Sequence, residues 1–254
     1  MSNVQYEPDG VVPRRLGAVV VGGVGEGLGF ALSARFAAAG HPVVMLARSP
    51  DRLAAFAGRI ADRGGLAQGR QADVRDEVQI TQIFQDAAGE HGTIDAAIFN
   101  AGANHRKPML EITGDTFEKV WRLACFGAFV FGREAVRHML PQGRGTVLFT
   151  GATASMRGGP QFAAFAAAKF GTRAIAQSMA REFGPQGIHV ASVIIDGGID
   201  MPAIHRRYAA AGRTVVADGL LSPDAIAETY YQIHRQHRSA WTMETEVRPY
   251  CETF

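Results

Sequence analysis

The stretch Leu16–Gly40, LGAVVVGGVGEGLGFALSARFAAAG, decides the fold. Leu16 to Gly22 is a short run of small and β-branched residues, the composition of a strand buried on both faces. The run breaks at a glycine cluster and resumes from Gly27 to Ala39 with the apolar spacing of a helix. A strand, a glycine turn and a helix in succession make the first unit of a βαβ repeat. Gly23, Gly27 and Gly29, spaced G-x-x-x-G-x-G, let the chain turn tightly and bring backbone N–H groups and the helix N-terminus against a pyrophosphate. The bland reading of these glycines is close helix–strand packing. The strand before them and the helix after them favour a dinucleotide site.

Working outward, the same alternation repeats. Strands are expected at Pro42 to Ala47, Leu66 to Ala72, Ile94 to Asn100, Thr146 to Thr150 and His189 to Ile195, all of the kind buried on both faces. Helices are expected at Ser49 to Asp62, Asp76 to Glu90, Gly114 to Leu140 and Gly159 to Phe183. Residues 196–221 begin glycine-rich and read as a mobile lid; a helix then starts at Ser222, with Pro223 at its first position. A last short strand, Thr245 to Tyr250, closes the sheet edge, and residues 1–15 read as a flexible arm before one domain over 16–254. The pattern is that of a single α/β domain, a doubly wound parallel sheet of about seven strands flanked by helices.

Bulk properties exclude several function classes. A formal net charge of +2 is spread over 254 residues without a basic block, so neither a nucleic-acid surface nor an anionic-membrane surface is expected. The opening segment has no apolar core of a signal peptide, and no run is long enough for a membrane span. Two cysteines, Cys125 and Cys251, make no disulfide framework, and a cytoplasmic protein is the economical expectation.

At the end of the second strand, where an acidic residue would hold the ribose hydroxyls of NAD, the chain reads Ala47, Arg48, Ser49. A guanidinium beside a hydroxyl suits a 2′-phosphate, so NADP(H) is favoured over NAD(H). Glu26, inside the glycine turn, places a negative charge that argues the other way.

The glycine turn, Asp73 with Val74 after the third strand and the triplet Asn100, Ala101, Gly102 after the fourth together resemble the short-chain dehydrogenase/reductase family. The resemblance runs from about Leu16 to the C-terminus. It implies a Rossmann fold and a nicotinamide cofactor laid across the strand ends, on Gly23, Gly27, Leu28 and Gly29. Asp73 and Val74 would lie near the adenine, Asn100 to Gly102 along the ribose and nicotinamide, and Gly197 and Ile199 beside them. It also implies a homodimer or homotetramer through the helices at Gly114 to Leu140 and Gly159 to Phe183.

The family's proton relay, as the resemblance implies it, uses a tyrosine four residues before a lysine, a serine about thirteen before the tyrosine, and an asparagine on the long fourth helix. Matched by spacing, the lysine is Lys169, which otherwise stands alone in the apolar run FAAFAAAKF. The tyrosine, serine and asparagine positions fall on Phe165, Ala152 and Ala124. Lys169 is expected to serve the cofactor ribose; phenylalanine has no proton to exchange. His105 and Asp196 are the replacement acid–base candidates, with Asp200 and Tyr208 more remote. Cys125 reads as packing, and the i, i+3 pair His234 and His237 as a solvated surface pair rather than a metal site. The expectation is an oxidoreductase with a non-standard site, acting on a small carbonyl, alcohol or activated alkene. Its alternative is an inactive NADP(H)-binding protein with a structural or sensing role.

Overall fold

A computed structural model describes residues 16–252, so the arm expected over residues 1–15 lies outside the described residues. Seven parallel strands form one sheet: β1 (Ala18–Gly22), β2 (Val43–Ala47), β3 (Ala67–Gln71), β4 (Ile94–Phe99), β5 (Gly145–Thr150), β6 (Ile188–Ile195) and β7 (Glu244–Val247). Their spatial order is β3-β2-β1-β4-β5-β6-β7. The order reverses between β1 and β4, which opens a crevice at their carboxyl ends, the place where ligands bind in such sheets.

Helices cover both faces. α1 (Leu28–Ala38), α2 (Pro50–Ala61) and α8 (Pro223–His234) bury Leu32, Phe36, Phe56 and Tyr230 against one side of the sheet. α3 (Glu77–His91), α4 (Gly114–Trp121), α5 (Gly127–Met139) and α6 (Ala163–Phe183) lie on the other side, where Phe84, Phe99, Phe131 and Phe149 form the core. Each such side chain, taken wholly out of water, contributes about 1.5–3 kcal/mol. Several helix starts follow local chemistry: Asp76 caps α3, Thr113 caps α4, and Ser222 caps α8 ahead of Pro223.

The structure departs from expectation in several places, each with a local reason. β3, expected to be buried, is an edge strand of sequence AQGRQ with no fully buried residue. The helix expected over Gly114 to Leu140 is interrupted by one π-helical turn, Arg122–Phe126, between α4 and α5. α6 starts at Ala163 rather than Gly159, because Gln161 takes a left-handed backbone (φ 71°) that no helix accommodates. β7 ends at Val247, just before Arg248 and Pro249. The lid region contains a helix the glycines concealed, α7 (Pro202–Ala210), none of whose residues is buried. His234 is not a surface group. It sits between Phe36 and His41, its Nδ1 is 3.0 Å from Thr146 Oγ1, and burial lowers its pKa to about 4. No described helix is long and apolar enough to cross a membrane.

Candidate active site

A cleft of about 900 Å³ runs along the carboxyl ends of the strands, from the glycine turn to the lid. Its first wall is built by close backbone approach. Gly23 has φ 85°, and a Cβ there would lie 2.6 Å from the backbone of Ala101; a Cβ on Gly29 would meet Val24 Cα at 2.7 Å. Only glycine lets the turn after β1 nest against the turn after β4. α1 begins with no side-chain cap and no acidic residue in its first turn, which leaves its N-terminus suited to an anion.

Asn100 ties these turns together. Its backbone N–H donates to Gly22 O at 2.8 Å and its Nδ2 to Gly23 O at 3.1 Å. Thr150 Oγ1, at the end of β5, donates to Asn100 Oδ1 at 3.0 Å and lies 2.8 Å from the hydroxyl of Tyr230. Tyr230 is inaccessible to solvent, and burial pushes its pKa up. That phenol therefore holds a structural chain from α8 to the glycine turn.

Along the adenine side, Val74 and Asp73 line the cleft, and Asp73 is gripped by Arg75, whose Nε donates to Oδ1 at 2.9 Å. The guanidinium holds that carboxyl below its ordinary pKa. Arg48 and Arg52 also line the cleft, one helical turn apart at the start of α2. Ser49 is the residue before α2 and does not line the cleft. The opposing charge of Glu26 is answered by Arg59, whose Nη1 donates to it at 2.7 Å.

At the other end lies Lys169, 4% exposed. Its Nζ donates to Thr150 O at 2.7 Å, and burial lowers its pKa to about 8. An ammonium has three donors; a Cβ on Gly102 would lie 3.3 Å from Nζ, so the head sits beside the Asn100–Gly102 turn. A glycine cradle, an uncapped helix start and a buried ammonium against the cleft fit a dinucleotide: Gly23, Gly27 and Gly29 would hold its pyrophosphate and Lys169 a ribose.

Of the residues expected from sequence, Gly23, Gly27, Leu28, Gly29, Arg48, Asp73 and Val74 line this cleft at one end. Asn100, Ala101, Gly102, Lys169, Asp196, Gly197 and Ile199 line it at the other. His105, expected over the strand ends, does not line it; its Nε2 is buried without a hydrogen-bond partner among the described residues. Asp196 faces the cleft as an anchored carboxylate. Thr153 Oγ1 donates to Oδ1, Arg248 Nη2 donates to Oδ2 at 2.7 Å, and Arg157 stands 3.7 Å away. Asp200 pairs with His205 at 2.6 Å on the exposed lid and does not line the cleft.

Phe165 and Ala152 line the cleft beside Lys169, whose Nζ is 5.9 Å from the Phe165 ring centroid. Ala124 is fully buried in the π-helical turn, where its carbonyl accepts from Thr172 Oγ1 at 3.0 Å. Burial raises the pKa of Cys125, which packs against Gly171. Tyr208 of α7 does line the cleft, its hydroxyl beside Gly198. No group of three or more His, Cys, Asp or Glu side chains suited to a metal occurs among the described residues.

Sequence reading missed Arg52, Arg106, Arg157, Phe162, Met201 and Glu252, all of which line the cleft. Arg52 had a signal, its place in the first turn of a helix that starts just after Arg48. The others come from loops and from the tail, where no periodicity exists to point them inward.

A parallel sheet with this strand order, a glycine turn at its switch point and a lysine on α6 define a dinucleotide-binding oxidoreductase fold. The short chain dehydrogenase family profile matches residues 17–203, and the chain belongs to that family. The crystal structure of a short-chain dehydrogenase from Rhodopseudomonas palustris is similar at 43% identity and TM-score 0.80, covering 94% of this chain and 100% of that one. Elsinochrome reductase 1 of Elsinoe fawcettii is 30% identical over 187 residues, 73% of this chain and 69% of that protein. An alcohol dehydrogenase from the archaeon Thermococcus sibiricus, complexed with 5-hydroxy-NADP, shares the fold at 20% identity and TM-score 0.81, covering 94% and 98% of the two chains.

Proposed function

We propose that this chain binds NADP(H) across the strand ends and is an oxidoreductase of non-standard active site, acting on a small carbonyl, alcohol or activated alkene. The observation that carries the reading is Lys169: a buried ammonium with no carboxylate partner among the described residues, standing at one end of a cleft whose other end holds Arg48 and Arg52. Burying such a charge is costly unless a ligand takes its donors. Arg48 and Arg52 would take the 2′-phosphate, because guanidinium groups match phosphate oxygens in charge and geometry. The names of relatives agree, among them a reductase and a structure complexed with an NADP derivative.

When bound, the nicotinamide exchanges a hydride with the substrate, so reduction of a carbonyl to an alcohol consumes one further proton. Phe165 and Ala152 supply none. The aromatic and methyl surface they give the cleft orients substrate and excludes water, while Tyr208 of α7 or a water molecule delivers the proton. Thr153 and Asp196 are occupied with each other, and Thr150 turns its hydroxyl away toward Asn100 and Tyr230. That occupation favours the second reading, an inactive NADP(H)-binding protein with a sensing role.

Exposed Phe117 and Trp121 on α4, Phe129 on α5 and Phe170 on α6 support a homodimer or homotetramer through that face. The absence of a disulfide between Cys125 and Cys251 suits the cytoplasm. The test is a fluorescence titration with NADPH and NADH, followed by NADPH oxidation against a panel of activated carbonyls. NADPH should bind at least tenfold more tightly than NADH, with slow turnover of some panel member. Binding without any turnover selects the sensing role, and no binding of either nucleotide removes both readings.

A further inference from the structure

The nicotinamide end of the cleft carries more cations than the cofactor needs. Arg106 comes from the loop after β4, Arg157 from the loop after β5, and Arg207 from lid helix α7, and all three line the cleft. Arg106 reaches the Phe165 end through Phe162, and Arg157 and Arg207 flank the turn that follows β6. Arg106 lies with its guanidinium carbon 4.8 Å from the Phe162 ring centroid, and Phe162 is 6.4 Å from Phe165, which in turn neighbours Lys169. Arg157 stands beside Asp196. Arg207 precedes Tyr208, whose hydroxyl adjoins Gly198 in the turn just after Asp196.

The acids facing them offset this charge only in part. Asp196 is already held by Arg248 and Thr153. Glu252, from the C-terminal tail, lines the cleft but forms no ion pair among the described residues. Glu26 and Asp73 belong to the adenine end and are paired with Arg59 and Arg75. Arg106 and Arg207 have no carboxylate partner among the described residues, only aromatic rings. The placement of Arg106 is also enforced. Lys107 N–H donates to Gln161 O at 2.9 Å, and Gln161 holds a left-handed backbone, φ 71°, that a non-glycine side chain disfavours. That strained contact clamps the Arg106 loop to the Phe162 loop.

We propose that the substrate is an anion, a small carbonyl compound or alcohol bearing a carboxylate or phosphate that Arg106, Arg157 and Arg207 receive while its apolar part lies on Phe162 and Phe165. Guanidinium groups on three separate connections define a concave positive site. It raises the local concentration of anions and matches the two oxygens of a carboxylate or phosphate. The lid brings one of the three, so an anionic group would bridge α7 to the sheet and hold the cleft closed.

The proposal rests on placing the cofactor's reactive end beside Lys169, and its test separates the two ideas. Protein is first titrated with NADPH; failure there removes the cofactor reading before any further ligand is added. The NADPH-saturated protein is then titrated by calorimetry with benzoylformate, its neutral methyl ester, and phenyl phosphate. At low ionic strength one of the two anions should bind at least tenfold more tightly than the ester, and which one identifies carboxylate or phosphate as the recognised group. Added salt should erode that preference, as screening of partly exposed charges requires.

In the exposed pair Arg106→Gln with Arg207→Gln the preference should fall at least fivefold, while NADPH affinity stays as in the parent. Arg106→Lys with Arg207→Lys should retain most of it. Equal binding of acid and ester, saturation by neither anion, or a preference that survives the glutamine pair would overturn the proposal.

Discussion

The two ends of one cleft are built on opposite rules. At the glycine end the geometry is over-determined: a Cβ at Gly23 or Gly29 would collide with backbone, and Asn100, Thr150 and Tyr230 lock the strand ends with hydrogen bonds. The Phe165 end is lined instead by carbon, with Phe165 and Ala152 facing the cleft and Ala124 sealed in a π-helical turn. Lys169 stands at the boundary, still buried and still in the place a nucleotide would need it. On the proposed reading, cofactor binding and proton exchange are separable properties of this fold. The first lives in backbone shape, the second in single side-chain atoms, so the second can be altered without disturbing the first.

The comparison is broken most directly by restoring the missing hydroxyls. Phe165→Tyr with Ala152→Ser adds two oxygens to side chains that already line the cleft. General acid–base assistance is worth about 10²- to 10⁴-fold, and the turnover number for carbonyl reduction should rise within that range while NADPH affinity changes little. Steady-state kinetics of parent and double variant check this. An unchanged rate would mean that the parent already holds a competent proton donor, with Tyr208→Phe the next variant to make.

Lys169 sharpens the boundary between the ends. Burial lowers its pKa to about 8 from an ordinary value of 10.5, so between those values the unfolded chain binds more protons than the folded one. Stability must then rise with pH across that window, and the full penalty of the buried charge is present below pH 8. The shift corresponds to about 3 kcal/mol. Without nucleotide, the parent should gain roughly that amount between about pH 8 and 10.5 relative to Lys169→Met, in denaturant titrations run at both ends of the window. The variant should also bind NADPH about 10- to 100-fold more weakly, since a charged hydrogen-bond donor is lost. A variant that is neither steadier below pH 8 nor weaker for nucleotide would show that Lys169 finds its partner within the protein.

Much of this architecture is legible in the sequence because it depends on periodicity. The short Val- and Ile-rich runs gave six strand positions within two residues of those found. The glycine spacing located the cleft because close backbone contact leaves a residue-type signature. Edge strand β3 was located, but its exposure was not, because AQGRQ lacks the apolar faces that its neighbours keep. α7 escaped because none of its residues is buried, so no apolar stripe marks it. His234 was misread because polarity hides burial when the ring packs on Phe36 and His41 and its Nδ1 finds Thr146. The arginines of the Phe165 end were illegible for a different reason. Loop residues carry no period, and only folding brings Arg106, Arg157 and Arg207 to one cavity.

At the glycine end, Arg48 and Arg52 test the nucleotide preference. The double change Arg48→Ala with Arg52→Ala should weaken NADPH binding about tenfold or more, as loss of charge-assisted contacts does. NADH, which lacks the 2′-phosphate, should be affected much less. Parallel fluorescence titrations read the ratio directly. Equal losses for both nucleotides would place the two guanidinium groups on the pyrophosphate or on structure instead.

The smallest expected effect belongs to Glu26, the charge that opposes NADP(H) in the sequence. Its carboxylate is two-thirds exposed and already accepts from Arg59 at 2.7 Å, and Arg59 lies with its guanidinium carbon 3.8 Å from the Phe30 ring centroid. An exposed ion pair is worth about 0–1 kcal/mol, and solvent screens what remains of the carboxylate's field. Glu26→Gln should therefore improve NADPH affinity by no more than about fivefold. It should also leave the gap between NADPH and NADH nearly where the parent has it, because the proposed source of that gap is Arg48 and Arg52. A much larger gain for NADPH alone would mean that Glu26 faces the 2′-phosphate directly and that Arg59 fails to offset it. The nucleotide end would then be a compromise between two cofactors, rather than a site shaped for one.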